Sequence, residues 1–127
     1  MKKIIILALL SLLLWSIPAF GSQWIVYATF DKGQHSFDKE SIVKKNKLVT
    51  VWSKTVYSSP EYDVEGKKMD EELWQHEINC SERTQRYLSF TIRFSDGTSR
   101  SEKANSITYQ AIPPDSLGDR LLMKVCK

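Results

Sequence analysis

Two runs of strict alternation in the second half of the chain constrain its fold more than any other feature. Along Leu73–Cys80, residues Trp74, His76, Ile78 and Cys80 point one way while Gln75, Glu77 and Asn79 point the other. Tyr87–Phe94 repeats the pattern, with Leu88, Phe90, Ile92 and Phe94 opposed to Ser89, Thr91 and Arg93. A period of two marks a strand with one buried face. Ser95-Asp96-Gly97-Thr98 follows the second run directly. Asp-Gly accepts positive φ, so this segment predicts a type I′ hairpin returning into a polar edge strand over 98–103.

The remaining segments extend this β pattern. Trp24–Phe30 is aromatic and β-branched, apolar on both faces, as suits a well-covered strand. Short pieces around His35-Ser36-Phe37 and Ser41-Ile42-Val43 flank a turn at Asp38-Lys39-Glu40, where Asp38 bonds local backbone. Lys44-Lys45-Asn46-Lys47 is the next turn and leads into a long β-prone run, Leu48–Tyr57. Ser58–Asp70 is polar, with Pro60 and Gly66, and reads as a mobile loop. Residues 107–112 form a last strand, stopped by Pro113-Pro114. Asp115 or Ser116 then caps a helix through Val125, with Leu117, Leu121, Leu122 and Val125 on one face. Gly118 costs this helix about 1 kcal/mol relative to alanine. The expected fold is α+β: a single antiparallel sheet of about five or six strands with a C-terminal helix packed on one face.

Met1–Gly21 has the layout of a secretory signal peptide. Lys2 and Lys3 precede an apolar run, Pro18 ends it, and Ala19 and Gly21 occupy the −3 and −1 positions of a cleavage site. The run is too short for a membrane span, so no stable span is expected once the leader is removed. Residues 22–127, about 106 in number, then form one exported domain. Without Lys2 and Lys3 the 18 basic residues become 16 against 15 acidic ones, a formal +1. A nearly neutral domain lacks the basic face of a nucleic-acid binder.

Cys80 and Cys126 are the two cysteines. Granted export, an even pair is read first as a disulfide, with two free thiols as the alternative. A crosslink would pin the helix onto the inward side of the sheet. Zinc is a poor competitor, because two cysteines and two distant histidines lack the paired spacing of a metal site.

Candidates for chemistry are few. A nucleophilic triad needs a base beside the nucleophile, and only His35 and His76 are present. His76 lies on the inward face of a strand and reads as a satisfied core residue; His35 reads as a surface residue in a polar turn. The carboxylates at Glu61, Asp63, Glu65 and Asp70–Glu72 lack the ligand offsets of a calcium loop and read as solvated. No catalytic residue, metal site or cofactor is expected. Lys44, Lys45 and Lys47, with Arg93 and Arg100 on the two arms of the hairpin, form the candidate ligand-binding patch. Such positive strips take sulfated glycans, acidic protein surfaces or anionic lipid; the plainer reading, which comes first, is that these charges solubilise a turn and protect an edge strand. Trp24, Trp52 and Trp74 read as core, since each ring can bury about 150–250 Å².

In order along the chain stand Trp24, a Phe37–Ile42 segment reading FDKESI, Asn79-Cys80 followed by Arg83 and Arg86, and Asp96-Gly97. After them come Ile112–Ser116, reading IPPDS, and Cys126. This arrangement resembles the surface-adhesin protein E-like family of small exported bacterial proteins, over nearly all of residues 22–127. The resemblance implies an antiparallel sheet packed on a helix, joined cysteines, and adhesion to host matrix or plasma proteins without enzymatic activity. Two departures are visible. No cysteine follows the leader, so there is no lipobox, and Tyr109 stands where the family usually carries tryptophan, as a tolerated core substitution. The leading expectation is a non-enzymatic exported binding module for a host matrix or envelope protein, periplasmic or secreted, of unassigned oligomeric state. The alternative is a soluble periplasmic envelope or stress protein that binds a small ligand or a secretion component.

Overall fold

The computed structural model describes residues 21–104 and 107–127; the leader reading, Met1–Phe20, lies outside the described residues. Eight strands and one α-helix follow in the order β1 (Trp24–Phe30), β2 (Gly33–Asp38), a single 3-10 turn (Lys39–Ser41), β3 (Val43–Lys45), β4 (Leu48–Tyr62), β5 (Lys68–Asn79), β6 (Thr84–Phe94), β7 (Ser99–Lys103), β8 (Gln110–Ala111) and α1 (Leu117–Val125). All strand pairings are antiparallel within one sheet, ordered β1-β2-β4-β5-β6-β7. β3 shares an edge of β4 with β2, and β8 shares an edge of β6 with β7. The sheet therefore has eight strands rather than five or six, and the domain is mostly β. β3 and β8 are only three and two residues long; β3 leaves no period-two trace in the sequence, and β8 takes up two residues of the last strand expected over 107–112.

Ser58–Asp70, expected as a mobile loop, is instead the end of a long hairpin. β4 continues to Tyr62 and β5 begins at Lys68. Pro60 is accommodated because pairing with β5 lapses between Val56 and Glu61, where its missing N–H breaks no ladder. Asp63 closes the turn by accepting from the backbone N–H groups of Glu65 and Lys67 at 3.0 and 2.7 Å. The β6–β7 hairpin forms where Asp96-Gly97 predicted it, but it is not a type I′ turn. Gly97 has φ +87° while Asp96 is not left-handed; its carboxylate accepts from Thr98 N at 2.9 Å instead. Asp38 accepts from Glu40 N at 3.0 Å and opens the 3-10 turn, as its position suggested.

The main core lies between one face of the sheet and α1. Phe37, Val49, Val51, Ile78, Ile112, Leu121, Leu122 and Val125 are buried together, with Ile25, Tyr27 and both cysteines packed against them. A second small cluster, Met69, Ile92 and Phe94 with Tyr57 and Phe90, fills the far end. Cys80 and Cys126 are joined, 5.7 Å apart at Cα. Gly118 is explained by contact rather than propensity. A β-carbon there would stand 3.0 Å from the Gln85 amide nitrogen and 3.3 Å from Ile112, so the bare backbone lets the helix settle this low. Leu117 stays 42 % exposed, whereas Asp119 is buried and held by Arg83 and by the N–H of Asp115. Tyr109 is not a core residue: its hydroxyl donates to Glu77, and the Arg86 guanidinium lies 5.1 Å from its ring centre.

Ser116 is the helix N-cap, accepting from Asp119 N at 3.1 Å. Ser116→Ala should cost about 1 kcal/mol, read as a lower urea midpoint at unchanged slope. No change in midpoint would show that the cap is redundant.

Candidate functional site

The sheet face that carries α1 is only partly covered by it, and the uncovered part is a cleft. Register places its floor: Val51 of β4 is opposite His76 of β5, Ser53 opposite Trp74, and Thr55 opposite Glu72. His35 on β2 is opposite Thr55. Between β5 and β6 the pairing shifts, Gln75 facing Ser89 and His76 facing Tyr87, so a bulge at Leu88 brings Tyr87 over to His76 and Trp74. Their ring centres lie 5.1 and 4.9 Å from that of Tyr87. Tyr27 flanks His35 on the other side. Leu117, Gly118 and Leu121 close the end beneath the helix, around a volume of about 250 Å³.

The polar groups of this cleft are engaged with one another. Gln85 Oε1 lies 3.3 Å from His76 Nδ1; an amide oxygen only accepts, so Nδ1 carries the proton. His76 Nε2 is then the acceptor for the Ser53 hydroxyl at 2.6 Å. Burial pushes His76 down to about 4 from 6.5. Burial also lowers His35, which contacts Thr55 Oγ1 through Nδ1 at 2.8 Å and stacks on Phe30 at 4.7 Å. His35 is thus a half-buried strand residue facing the cleft, not a turn residue in solvent. Its contacts come from β1 and β4, which a reading of local polarity does not reach. Burial raises Tyr27 to about 12. Burial and the neighbouring Glu72 raise Tyr57, which donates to Glu72 Oε2 at 3.0 Å.

Ser53, His76 and Gln85 have the connectivity of nucleophile, base and orienter. The chemistry is unfavourable, however. A base held near 4 accepts a proton poorly, and an amide orienter lacks the negative charge that stabilises an imidazolium. Among the described residues no group of three or more His, Cys, Asp or Glu side chains is placed to hold a metal ion.

The positive patch is dispersed. Lys44 and Lys45 project from β3 and Lys47 from the turn after it, all exposed; Lys44 Nζ donates to the Lys127 carbonyl at 2.9 Å. Arg93 pairs with Glu71 at 2.6 Å. Arg93 faces Ser99, and Ile92 faces Arg100, so the two arginines leave opposite sides of the sheet. Leu48, beside Lys45, and Val56, beside Glu71, are eight residues apart on β4, about 26 Å at 3.3 Å per residue. Lys44 and Lys45, consecutive on β3, leave opposite faces of the sheet, and all three lysines lie apart from both arginines.

The tryptophans divide likewise. Trp74 lines the cleft, whereas Trp24 and Trp52 are half-buried on the reverse face, with Lys54 Nζ 4.2 Å from the Trp24 ring centre. None belongs to the buried core clusters. Sequence reasoning missed the cleft because Tyr27, Ser53 and Gln85 come from three strands distant in sequence. The inward histidine of β5 was the one local signal.

An antiparallel sheet clasped by a disulfide to a C-terminal helix defines a small, mostly-β domain. The chain belongs to the surface-adhesin protein E family, whose match spans residues 24–127. Among solved structures it is similar to the crystal structure of protein E from non-typeable Haemophilus influenzae. That likeness has 14 % identity and a TM-score of 0.59, over 87 % of this chain and 80 % of that one; at such identity it is a likeness of fold. No curated protein matches the sequence.

Proposed function

We propose that this protein is an exported, non-enzymatic binding module that engages a protein or matrix ligand through its surface. The observation that carries this reading is the family match over nearly the whole exported domain. The weak base in the Ser53–His76–Gln85 relay favours the non-enzymatic side of it. Lys44, Lys45 and Lys47 are the contact candidates, all exposed on β3 and the turn after it, with Lys44 against the C-terminal residue; they present a local positive field to sulfated or acidic surfaces. The expected outcome is that K44A/K45A/K47A loses roughly tenfold in binding to heparin or matrix protein, and that added salt weakens the parent protein in the same way. Unchanged binding by the triple variant removes this patch as the site.

The cleft favours a second reading, a periplasmic envelope protein that binds a small ligand. Fractionation separates the two. Recovery on intact cell surfaces or in the medium supports adhesion, while release by osmotic shock alone supports the periplasmic role.

A further inference from the structure

Among the glutamates of β5, Glu72 stands apart. Glu71 is paired with Arg93 at 2.6 Å and Glu77 with Arg86 at 2.8 Å. Glu72 faces the cleft and has the Tyr57 hydroxyl on one oxygen; among the described residues no lysine or arginine forms an ion pair with it. No lysine or arginine lines the cleft either. Arg100, two strands away along the same row, is not part of the lining.

Behind this carboxylate the walls are aromatic. Trp74 is in ring contact with both Tyr87 and Phe90, and Tyr27 stands across the floor from them. The faces of such rings are electron-rich and attract cations, most strongly where water is excluded. Leu117 and Leu121 add an apolar end wall. At about 250 Å³ the space is smaller than the roughly 300–1,000 Å³ of pockets for drug-sized ligands.

We propose that this cleft is a binding site for a small amphipathic organic cation, its ammonium placed between Glu72 and the Trp74 and Tyr87 rings and its apolar body against Leu117 and Leu121. The polar floor is compatible with that occupant. Ser53 and Thr55 are turned toward their histidines, and both rings are driven toward the neutral form by burial, so they present no repelling charge. Anions find a carboxylate there and no cationic partner. The site is separate from the exposed lysines, so this proposal stands or falls independently of adhesion.

The test compares phenethylammonium, phenethyl alcohol and phenylacetate, three probes of one shape and different charge, by NMR titration of the oxidised exported protein. The expected result is saturable binding of the ammonium, with shifts at the Trp74 indole N–H and the Gly118 amide. The Trp24 and Trp52 indoles should stay still, and the alcohol and the acid should bind at least tenfold more weakly. Glu72→Gln should weaken the ammonium at least tenfold. Equal binding of all three probes, shifts centred on Trp24 or Trp52, or no binding of the ammonium would overturn the proposal, as would a folded Glu72→Gln with unchanged affinity. The charge series uses the native protein and decides the matter even if the variant does not fold.

Discussion

Replacing Cys80 and Cys126 together with alanine is expected to lower the melting temperature by roughly 15–30 °C. The bond spans 46 residues, and closing a loop of that size constrains the unfolded chain by about 4 kcal/mol in the entropy model. For a domain whose net stability is about 5–15 kcal/mol, that is a large fraction. Its placement makes the effect structural as well as entropic. Cys80 directly follows β5, its N–H donating to Lys47 O at 2.9 Å, and Cys126 caps α1, its N–H donating to Leu122 O at 2.8 Å. The helix is only nine residues long, below the length at which an isolated helix is stable in water. It depends on burying Leu121, Leu122 and Val125 against the sheet. Without the clasp the helix should detach before the sheet melts, seen as early exchange of its amides. A double variant melting within a few degrees of the parent would show that apolar packing alone holds the helix down.

The sequence made β5, β6 and α1 legible for the same reason: each buries one face against a single partner surface, so period and composition agree; the exposed β7 was legible only from the Asp96-Gly97 turn before it. Where one edge is shared by two strands, that logic weakens. β3 has three exposed residues and β8 two; β3 is recognisable only from its pairing with β4, and the strand expected over 107–112 shrinks to the two residues that pair with β6. The hairpin tip between β4 and β5 was hidden by polarity, since residues near Pro60 and Asp63 extend beyond the core and have no apolar face to show. The basic patch was grouped by sequence adjacency, and adjacency in a hairpin places Arg93 and Arg100 on opposite sides once the register is Ile92 to Arg100. The cleft was least visible of all. It depends on the bulge at Leu88, which turns Tyr87 toward His76, and on a glycine in α1 that lets Gln85 reach the helix.

Acid should destabilise this fold earlier than its carboxylates alone would allow. His76 falls from an ordinary 6.5 to about 4 because burial opposes its charged form. The unfolded chain therefore takes up the proton first as the pH drops. Stability declines from about pH 6.5 to about pH 4 and is then spent, a loss of about 3 kcal/mol at 1.36 kcal/mol per unit. His35 is shifted in the same direction by the same cause and adds to the decline. Glu77, Asp96 and Asp119 are also lowered, by hydrogen bonds and arginine or lysine neighbours. Their stabilisation is lost only as the pH passes below the ordinary carboxylate values of 3.8–4.5, so the interval from 6.5 to 5 belongs to the histidines. Urea midpoints at pH 7, 6 and 5 should fall steadily in the parent protein. His76→Gln, which retains a side-chain acceptor for the Ser53 hydroxyl, should keep only the smaller slope due to His35. A parent midpoint that stays flat between pH 7 and 5 would mean that His76 can be protonated in place, and that the cleft floor is wetter than its packing indicates.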